Sequence, residues 1–212
     1  MGKQLQAMYE NHNGCGGRGG FTMGGERRGE WFRRNVGTGK RVLDVGCRDG
    51  SLTKYFVKGN QVTGVDIDAK MLGKARVRLK IATKHMDIYG QWKFAGKFDV
   101  VVMGEVLEHV YYPHNVVAKA REWLVPGGVL LVSVPNAYLI SDRLRFVLGR
   151  EISAHHDPTH INLFSVGKLK GMMRRHFAKV EVSGIAPEVY GGLERVSVSL
   201  FAATLLVRAA DK

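Results

Sequence analysis

The chain has 212 residues, and its 45% hydrophobic content is enough for one domain with a packed core. Its formal net charge of +13 favours an anionic partner, which could be RNA, a lipid surface or an acidic small molecule. Two cysteines, Cys15 and Cys47, are too few for a disulfide framework, so we expect a reduced, cytoplasmic protein.

Residues 1–40 are basic and glycine-dense and are predicted to form a partly mobile segment, with a short helix near Trp31 and Phe32. A lid that orders over a ligand is the alternative. The opening MGKQLQAMYE lacks the apolar core of a signal peptide, and Gln6 interrupts the myristoylation pattern. Because no apolar run approaches the ~20 residues of a membrane-spanning helix, any membrane contact is expected to be peripheral.

From Arg41 onward, strand and helix patterns alternate along the chain. Four valine-rich runs are typical of strands buried on both faces: RVLDVG, QVTGVD, FDVVVMG and GVLLVSVP. Asp68 is predicted to cap one intervening helix, and Pro113 to open another that Pro126, Gly127 and Gly128 end. The second pattern carries Val116, Val117, Ala120, Trp123 and Leu124 on one side. This alternation predicts a parallel sheet with helices on both faces, whose ligands bind beyond the carboxyl ends of the strands.

The first predicted strand runs into a glycine turn, VLDVGCRDGSL. A P-loop is excluded because no lysine follows Gly50. A dinucleotide fingerprint fits poorly, since Arg48 and Ser51 stand where it needs glycines. The pattern that fits is Asp-x-Gly-x-x-x-Gly, from Asp44 to Gly50.

Five segments occur in one order between Arg41 and Asn136: VLDVGCRDG, VTGVDID, HMDI, FDVVVMGEVLEHV and LVPGGVLLVSVPN. With them the chain resembles the class I S-adenosylmethionine-dependent methyltransferases, and most closely the ubiquinone-biosynthesis O-methyltransferases. The later PN...PTHINLFS resembles a region of methionine-biosynthesis-type methyltransferases. The resemblance implies a Rossmann-like, seven-stranded, mostly parallel sheet over residues 41–212, with a substrate-cap insertion near 137–165.

The resemblance also implies a reaction, in which a methyl group moves from S-adenosylmethionine to an oxygen or nitrogen of a small-molecule acceptor. An RNA methyltransferase is an alternative that the positive charge favours, although no Asn/Asp-Pro-Pro-Tyr/Phe motif follows the fourth strand. A protein that binds S-adenosylmethionine without turnover is a third possibility, suggested by Arg48. The sequence does not indicate an oligomeric state.

The candidate cofactor residues match the chemistry of S-adenosylmethionine. Asp44 can hold its ammonium group, and Gly46 and Gly50 allow the backbone to approach the ligand. Asp66 follows about 20 residues later, the separation at which a carboxylate meets a ribose diol in nucleoside-binding folds. The resemblance implies that Asp87 accepts from the adenine amino group. The full predicted set is Asp44, Gly46, Cys47, Gly50, Asp66, Ile67, Met86, Asp87, Ile88 and Gly104.

Arg48 departs from the family, which usually has glycine at the middle of this turn. One interpretation is that its side chain points away from the nucleoside and is a neutral variant. The other is that its guanidinium reaches the methionine carboxylate or an acidic substrate.

On the acceptor side, the resemblance places Glu105 near the transferred methyl group, with Glu108 and His109 close behind. His109 is the best candidate for a proton acceptor because an unperturbed imidazole has a pKa near ~6.5. A local structural hydrogen bond is the alternative use of this histidine. Further candidates, His156 and His160, lie in ISAHHDPTHINLFS, a predicted substrate-pocket loop.

No metal site is predicted in that loop, because its histidines lack zinc-ligand spacing and Pro158 prevents a continuous helix. The segment YLISDRLRFVLGRE before it places Ile140, Leu144, Val147 and Leu148 on one helical face. Packing against the core is the default; a cap over the acceptor pocket that also touches anionic lipid is the alternative. The last run, LFAATLLVRA, is predicted to complete the sheet.

Overall fold

A computed structural model describes residues 25–153 and 157–211. The glycine-rich part of the N-terminal segment before residue 25, and the candidate His156, lie outside the described residues. Within them, strands and helices are interspersed, but no α-helix lies between residues 46 and 60 or between residues 86 and 97, so the predicted alternation is incomplete.

Seven strands form the sheet: β1 (Arg41–Val45), β2 (Gln61–Asp66), β3 (Ala82–His85), β4 (Phe98–Gly104), β5 (Leu124–Pro135), β6 (Lys179–Ile185) and β7 (Thr204–Ala210). Their order is β3-β2-β1-β4-β5-β7-β6. β1 pairs in parallel with β2 and β4, whereas β7 runs antiparallel to both of its neighbours. The predicted Rossmann-like, mostly parallel sheet is confirmed, and the final apolar run completes it as β7.

The helices of the described residues are α1 (Gly25–Val36), α2 (Ala69–Leu79), α3 (Pro113–Glu122), α4 (Ile140–Val147), α5 (Val166–Arg174) and the short α6 (Val198–Phe201). The predicted helix near Trp31 is α1. Asp68 caps α2 as predicted, since its side chain accepts from the backbone N–H groups of Lys70 and Met71. Pro113 opens α3, also as predicted. No described helix is long and apolar enough to cross a membrane.

The chain divides into two compact units. Unit 1 runs to Gly104 and includes Trp123–Gly128, and its core is formed by β1, β2 and β4 with apolar side chains such as Leu43 and Phe56. Unit 2 comprises Glu105–Glu122 and the chain from Val129 onward. Its core combines β5 and β7 with apolar side chains of α3 and α5.

The end of β5 is fastened within unit 2 by Asn136, which is buried. Its side-chain amide donates to the carbonyl oxygens of Ser199 and Ala202, at 3.1 and 2.8 Å. Its side-chain oxygen accepts from Tyr138 at 3.0 Å, and it forms a β-bridge with Phe164. The β-bridge therefore joins the two ends of the segment between Asn136 and Phe164, which covers most of the predicted cap.

Two predictions about helix packing and helix length are wrong. α3 ends at Glu122, so Trp123 and Leu124 lie outside it, and the proline and glycines expected to end it lie within β5. The cause is that the Trp123 carbonyl already accepts from the Phe98 N–H at 2.9 Å. The chain is thereby drawn into sheet pairing before the proline is reached.

The apolar face of α4 is the second correction, because it does not pack against the core. Leu144, Val147 and Leu148 are 58%, 81% and 67% exposed. The buried side of the helix is instead that of Asp142, whose carboxylate accepts from the backbone and the hydroxyl of Ser153. This hydrogen-bonded carboxylate turns the apolar stripe of α4 outward.

Candidate active site

The turn after β1 holds its shape through left-handed glycines. Gly46 and Gly50 have φ values of 73° and 75°, which favour glycine. A Cβ on Gly50 would lie 2.5 Å from Leu79 Cδ1, so this glycine also admits α2. Gly50 therefore serves helix packing as well as the turn, a reason that its spacing alone did not reveal.

Asp66, the predicted ribose ligand, is buried at the end of β2. Its two carboxylate oxygens accept separately from the backbone N–H groups of Arg48 and Asp68, each at 2.8 Å. Burial raises the pKa of Asp66, while these two hydrogen bonds and the Arg48 charge oppose the rise. Each carboxylate oxygen can still accept a further hydrogen bond, and the backbone donors fix the orientation of the group. This arrangement suits a pair of vicinal hydroxyl groups.

Asp44, the predicted ammonium ligand, is buried at the end of β1. Its carboxylate accepts from the Thr53 hydroxyl at 2.6 Å. Burial raises the pKa of Asp44 to about 7, and the nearby Asp66 carboxylate adds to the rise against the Thr53 hydrogen bond. A cationic ligand would favour the charged form of Asp44.

Cys47 packs its side chain against Gly64 of β2. A Cβ on Gly64 of β2 would lie 2.7 Å from Cys47 Sγ, so the thiol fills the space that this glycine leaves. Burial, followed by the charges of Asp44 and Asp66, raises the pKa of the thiol well above its usual value. What Cys47 can offer a cofactor is its backbone.

Arg48 takes a left-handed conformation, with a φ of 49°, at the turn position where the family resemblance implies glycine. Its side chain is half-buried and its Nε is shielded from solvent. Its charge opposes the rise that burial causes in the pKa of Asp66. These features do not match a side chain that simply points away into water.

The predicted adenine segment follows β3. Met86 is buried, and its backbone N–H donates to the Asp66 carbonyl at 2.9 Å. Asp87 is half-buried and accepts from the Tyr89 N–H through Oδ1 at 2.9 Å. The Ile88 carbonyl accepts from the Trp92 indole at 3.0 Å. These bonds fix the loop that carries Met86, Asp87 and Ile88 of the predicted cofactor set.

The residues of unit 1 fit the predicted cofactor chemically. Carboxylates close two adjacent parallel strands, and one of them, Asp66, is oriented by two backbone donors. Among the described residues of unit 1, Asp44, Asp66 and Asp87 would hold the ammonium, the ribose diol and the adenine amino group. Gly104, the last residue of β4, is half-buried.

Unit 2 begins with a strained residue, Glu105, whose φ is 57°. Its backbone N–H donates to the Ser133 carbonyl at 3.0 Å. A non-glycine residue in this conformation costs about 1 kcal/mol or more, and such strain is frequent at functional sites. The conformation is consistent with the predicted role of Glu105, although it does not test that role.

His109 is held in one tautomer by Thr159. Its Nδ1 lies 3.1 Å from the Thr159 carbonyl oxygen and 3.0 Å from the Thr159 hydroxyl oxygen. The hydroxyl proton is given to Asp157 Oδ1 at 2.6 Å, so both Thr159 oxygens act as acceptors towards the ring. Nδ1 must therefore carry the imidazole proton, which leaves Nε2 as the basic nitrogen.

Around Nε2 lie a buried carboxylate and a second imidazole. His109 Nε2 is 3.9 Å from Glu108 Oε1, and the rings of His109 and His160 have centroids 4.8 Å apart. His160 Nε2 is in turn 3.8 Å from Asp157 Oδ2. The structure thus brings together His109 and His160, two of the separately predicted acceptor-side candidates.

One ligand atom from each of Glu108, His109 and His160 falls within a radius that could also suit a metal ion, all three lying within 4.8 Å of one another. The sequence prediction had considered only the histidines of the later loop and expected no metal. The missed partner is Glu108, which precedes the histidines of that loop by too many residues to give a spacing signal.

Sequence reasoning also missed Thr159 and Arg28. Thr159 orients His109 but looks like an ordinary loop threonine in PTHINLFS. Arg28 is almost fully buried in α1, where a glycine-rich, basic context had predicted only a short helix.

The strand order, the glycine turn and the carboxylate that ends β2 match the class I, Rossmann-like methyltransferase fold. A methyltransferase domain model matches residues 27–180, most of the chain. The chain therefore belongs to the methyltransferase domain family.

Curated relatives include the ubiquinone biosynthesis O-methyltransferases of Aromatoleum aromaticum and Nitrosococcus oceani. They are 38% and 39% identical to it over 58% of the chain and 55% of their own length. The chain thus spans about half the length of these relatives, which support an enzyme of this class.

Solved structures show the same fold at low identity. The magnesium protoporphyrin IX methyltransferase of Synechocystis, with bound S-adenosylhomocysteine, has a TM-score of 0.66 at 18% identity, covering 92% of this chain and 85% of its own. A methyltransferase from Archaeoglobus fulgidus has a TM-score of 0.67 at 18% identity, covering 88% and 94%.

Proposed function

We propose that the chain transfers a methyl group from S-adenosylmethionine to a hydroxyl oxygen of a small-molecule acceptor. The observation that supports an oxygen acceptor is the fixed tautomer of His109, whose basic Nε2 can take a hydroxyl proton. The names of the O-methyltransferase relatives support the same acceptor class. The structural neighbours include an N-methyltransferase, so the choice of oxygen rests on His109 and these relatives.

In this proposal, unit 1 binds the cofactor. Asp66 accepts from the ribose diol, the charged form of Asp44 faces the ammonium group, and Asp87 accepts from the adenine amino group. Bound S-adenosylmethionine supplies an electrophilic methyl carbon on a positively charged sulfur.

The residues of unit 2 handle the proton. His109 Nε2 would take the proton of the acceptor hydroxyl, leaving an oxygen nucleophile for the methyl group that S-adenosylmethionine would supply. Glu108 then stabilises the imidazolium, because its carboxylate lies 3.9 Å from Nε2. Thr159 and Asp157 hold the ring in place throughout, and His160 and Glu105 are secondary candidates for contact with the acceptor.

The test separates binding from chemistry. We expect His109→Asn, which can still donate to Thr159, to lower kcat with a dihydroxybenzoate acceptor about 10²–10⁴-fold. Calorimetry with S-adenosylmethionine should give a Kd within twofold of the wild type. His114→Asn, at an exposed histidine of α3, is the matched control and should leave both values unchanged. An unaffected kcat for His109→Asn would contradict the proposed base.

A second measurement separates proton transfer from metal binding at the same cluster. If His109 acts as a base, EDTA treatment should leave the rate unchanged. Loss of activity on chelation, restored by a divalent cation, would instead make Glu108, His109 and His160 metal ligands.

We further propose that the anionic partner suggested by the net charge is a lipid surface, which unit 2 contacts through α4. Phe146 and Val147 are 75% and 81% exposed at the end of that helix. The exposed Arg143, Arg145 and Arg150 lie beside them in the chain, as in helices that lie at a membrane interface. Exposed aliphatic side chains favour lipid over RNA, because phosphate contacts alone would need no apolar surface.

Vesicle co-sedimentation tests this partner. Vesicles with phosphatidylglycerol should pull down the wild type more than pure phosphatidylcholine vesicles do, and the double change Phe146→Ser and Val147→Ser should abolish the difference. Val77→Ser, at an equally exposed valine of α2, is the control and should bind like the wild type. Binding unaffected by the double change, or a salt-dependent gel shift with RNA in its place, would contradict the lipid proposal.

A further inference from the structure

Arg48 is the one residue of the glycine turn that adds a positive charge, and the proposed function gives it no role. Its backbone N–H donates to Asp66 Oδ2 at 2.8 Å, so its Cα is fixed next to the carboxylate proposed to bind ribose. The side chain starts from a left-handed backbone, with a φ of 49°, and is half-buried.

The surroundings of Arg48 keep its charge poorly screened. Asp44, Asp49 and Asp66 are all buried around the turn, and Arg48 Nε is itself shielded from solvent. Buried charges act over longer distances than exposed ones, because water and salt screen them less.

The cofactor and its product differ in a way that a fixed cation can sense. S-adenosylmethionine carries a positive charge at sulfur, and S-adenosylhomocysteine does not. Their carboxylate, ammonium, ribose and adenine groups are the same. A fixed cation near Asp66 therefore changes their relative affinity only through the charged sulfur, since equal interactions with both ligands cancel.

Resting on the proposed function, we propose that Arg48 is a specificity-determining residue that shifts the cofactor site towards ligands with an uncharged sulfur. The site thereby holds its product more tightly, relative to its substrate, than the same site without this cation. Turnover then follows the ratio of S-adenosylmethionine to S-adenosylhomocysteine more steeply. A residue at the family's glycine position would in this way convert an ordinary cofactor pocket into one that is sensitive to product.

Calorimetry with three ligands tests the charge preference directly. The ligands are S-adenosylmethionine, S-adenosylhomocysteine and sinefungin, in which a carbon bearing an amino group replaces the methylated sulfur and keeps a positive charge there. For Arg48→Gln we expect the affinity for the two charged ligands to rise about 3–10-fold. The affinity for S-adenosylhomocysteine should stay within twofold. Arg48→Lys, which keeps the charge, should resemble the wild type.

Two further variants protect the test against misfolding and against a change in net charge. Arg48→Gly suits the left-handed backbone and should show the same selectivity shift as Arg48→Gln. Arg76→Gln removes one charge from the exposed face of α2 and should change none of the three affinities.

The possible outcomes separate this inference from the function on which it rests. If the wild type binds none of the three ligands, the proposed function fails. If all three bind and Arg48→Gln weakens them equally, Arg48 holds the shared carboxylate and the charge preference is wrong. If the ratio of the affinities for S-adenosylmethionine and S-adenosylhomocysteine does not change in Arg48→Gln or Arg48→Gly, the inference alone is overturned.

Discussion

The ribose side of unit 1 and the proton side of unit 2 are built from contacts of very different range. In unit 1, Thr53 donates to Asp44 nine residues away, and Arg48 to Asp66 across 18 residues. In unit 2, His109 meets Thr159 across 50 residues. The first site is therefore formed by the continuous segment from β1 to β2, whereas the second depends on a distant loop that returns to His109.

This difference in contact range predicts two separate classes of mutant phenotype. A change in the short-range site should remove ligand binding without affecting the proton side, and a change in the returning loop should do the reverse. The predictions below test that separation.

The largest effect is expected for Asp66→Asn, which replaces the charged acceptor of the ribose diol. Two charge-assisted hydrogen bonds are weakened, so the Kd for S-adenosylmethionine should rise about 10²–10⁴-fold. Calorimetry measures this, with Asp99→Asn as the control, because Asp99 accepts from Arg41 at the opposite end of the strands. Retained tight binding by Asp66→Asn would remove the ribose assignment.

The pH dependence of stability should come mainly from Asp44. Burial raises its folded-state pKa to about 7 from the ordinary 3.8, so the folded state keeps a proton that the unfolded state has lost. Stability is therefore highest at low pH and falls as the pH rises from about 4 to 7, by about 1.4 kcal/mol per unit at most. The raised pKa of Asp66 acts with the same sign.

Urea unfolding at several pH values checks this dependence. Asp44→Asn keeps a hydrogen-bonding group beside Thr53 and should flatten the slope between about pH 4 and 7. A slope identical to that of the wild type would mean that Asp44 is ionised in the folded protein at low pH.

A smaller effect is expected for Thr159→Val, which removes the hydroxyl that orients His109. The carbonyl of residue 159 still accepts from Nδ1, so kcat should fall only about tenfold while the Kd for S-adenosylmethionine is unchanged. Thr159→Ser should restore the rate, because it restores the hydroxyl. A changed Kd would show that the two regions are not separable.

The smallest effect concerns backbone strain at Arg48. Arg48→Gly relieves a left-handed φ of 49° and should raise the free energy of unfolding by about 1 kcal/mol. Lys80→Gly is the matched control, since Lys80 has a φ of 54° at the end of α2. A gain for Lys80→Gly alone would show that the Arg48 side chain makes contacts that offset its strain.

Most of the fold could be predicted because its signals are local. Valine-rich runs gave the strands of unit 1, and Asp68 and Pro113 gave two helix starts. The end of α3 was missed because its cause is the pairing of Trp123 with Phe98, which no local pattern reveals. The face of α4 was misread because Asp142, and not the apolar stripe, is the residue that unit 2 buries.

The candidate site divides in the same way. Asp44, Asp66 and Asp87 follow successive strands, so their positions could be inferred from spacing and family resemblance. Thr159 could not be found, because only the folded loop brings it to His109. Arg48 was recognisable as a departure, but its backbone bond to Asp66 and its half-buried side chain required the structure.

Because Cys47 packs against Gly64, the reactivity of its thiol reports how often the glycine turn opens. A thiol that is buried and kept protonated does not react with alkylating reagents until the turn opens. With Cys15 replaced by serine, the rate of alkylation then counts local opening events, as hydrogen exchange does for an amide. A ligand that binds both Asp66 and the glycine turn should lower the alkylation rate of Cys47 in proportion to the fraction of protein that is bound. No label has to be added to the ligand site.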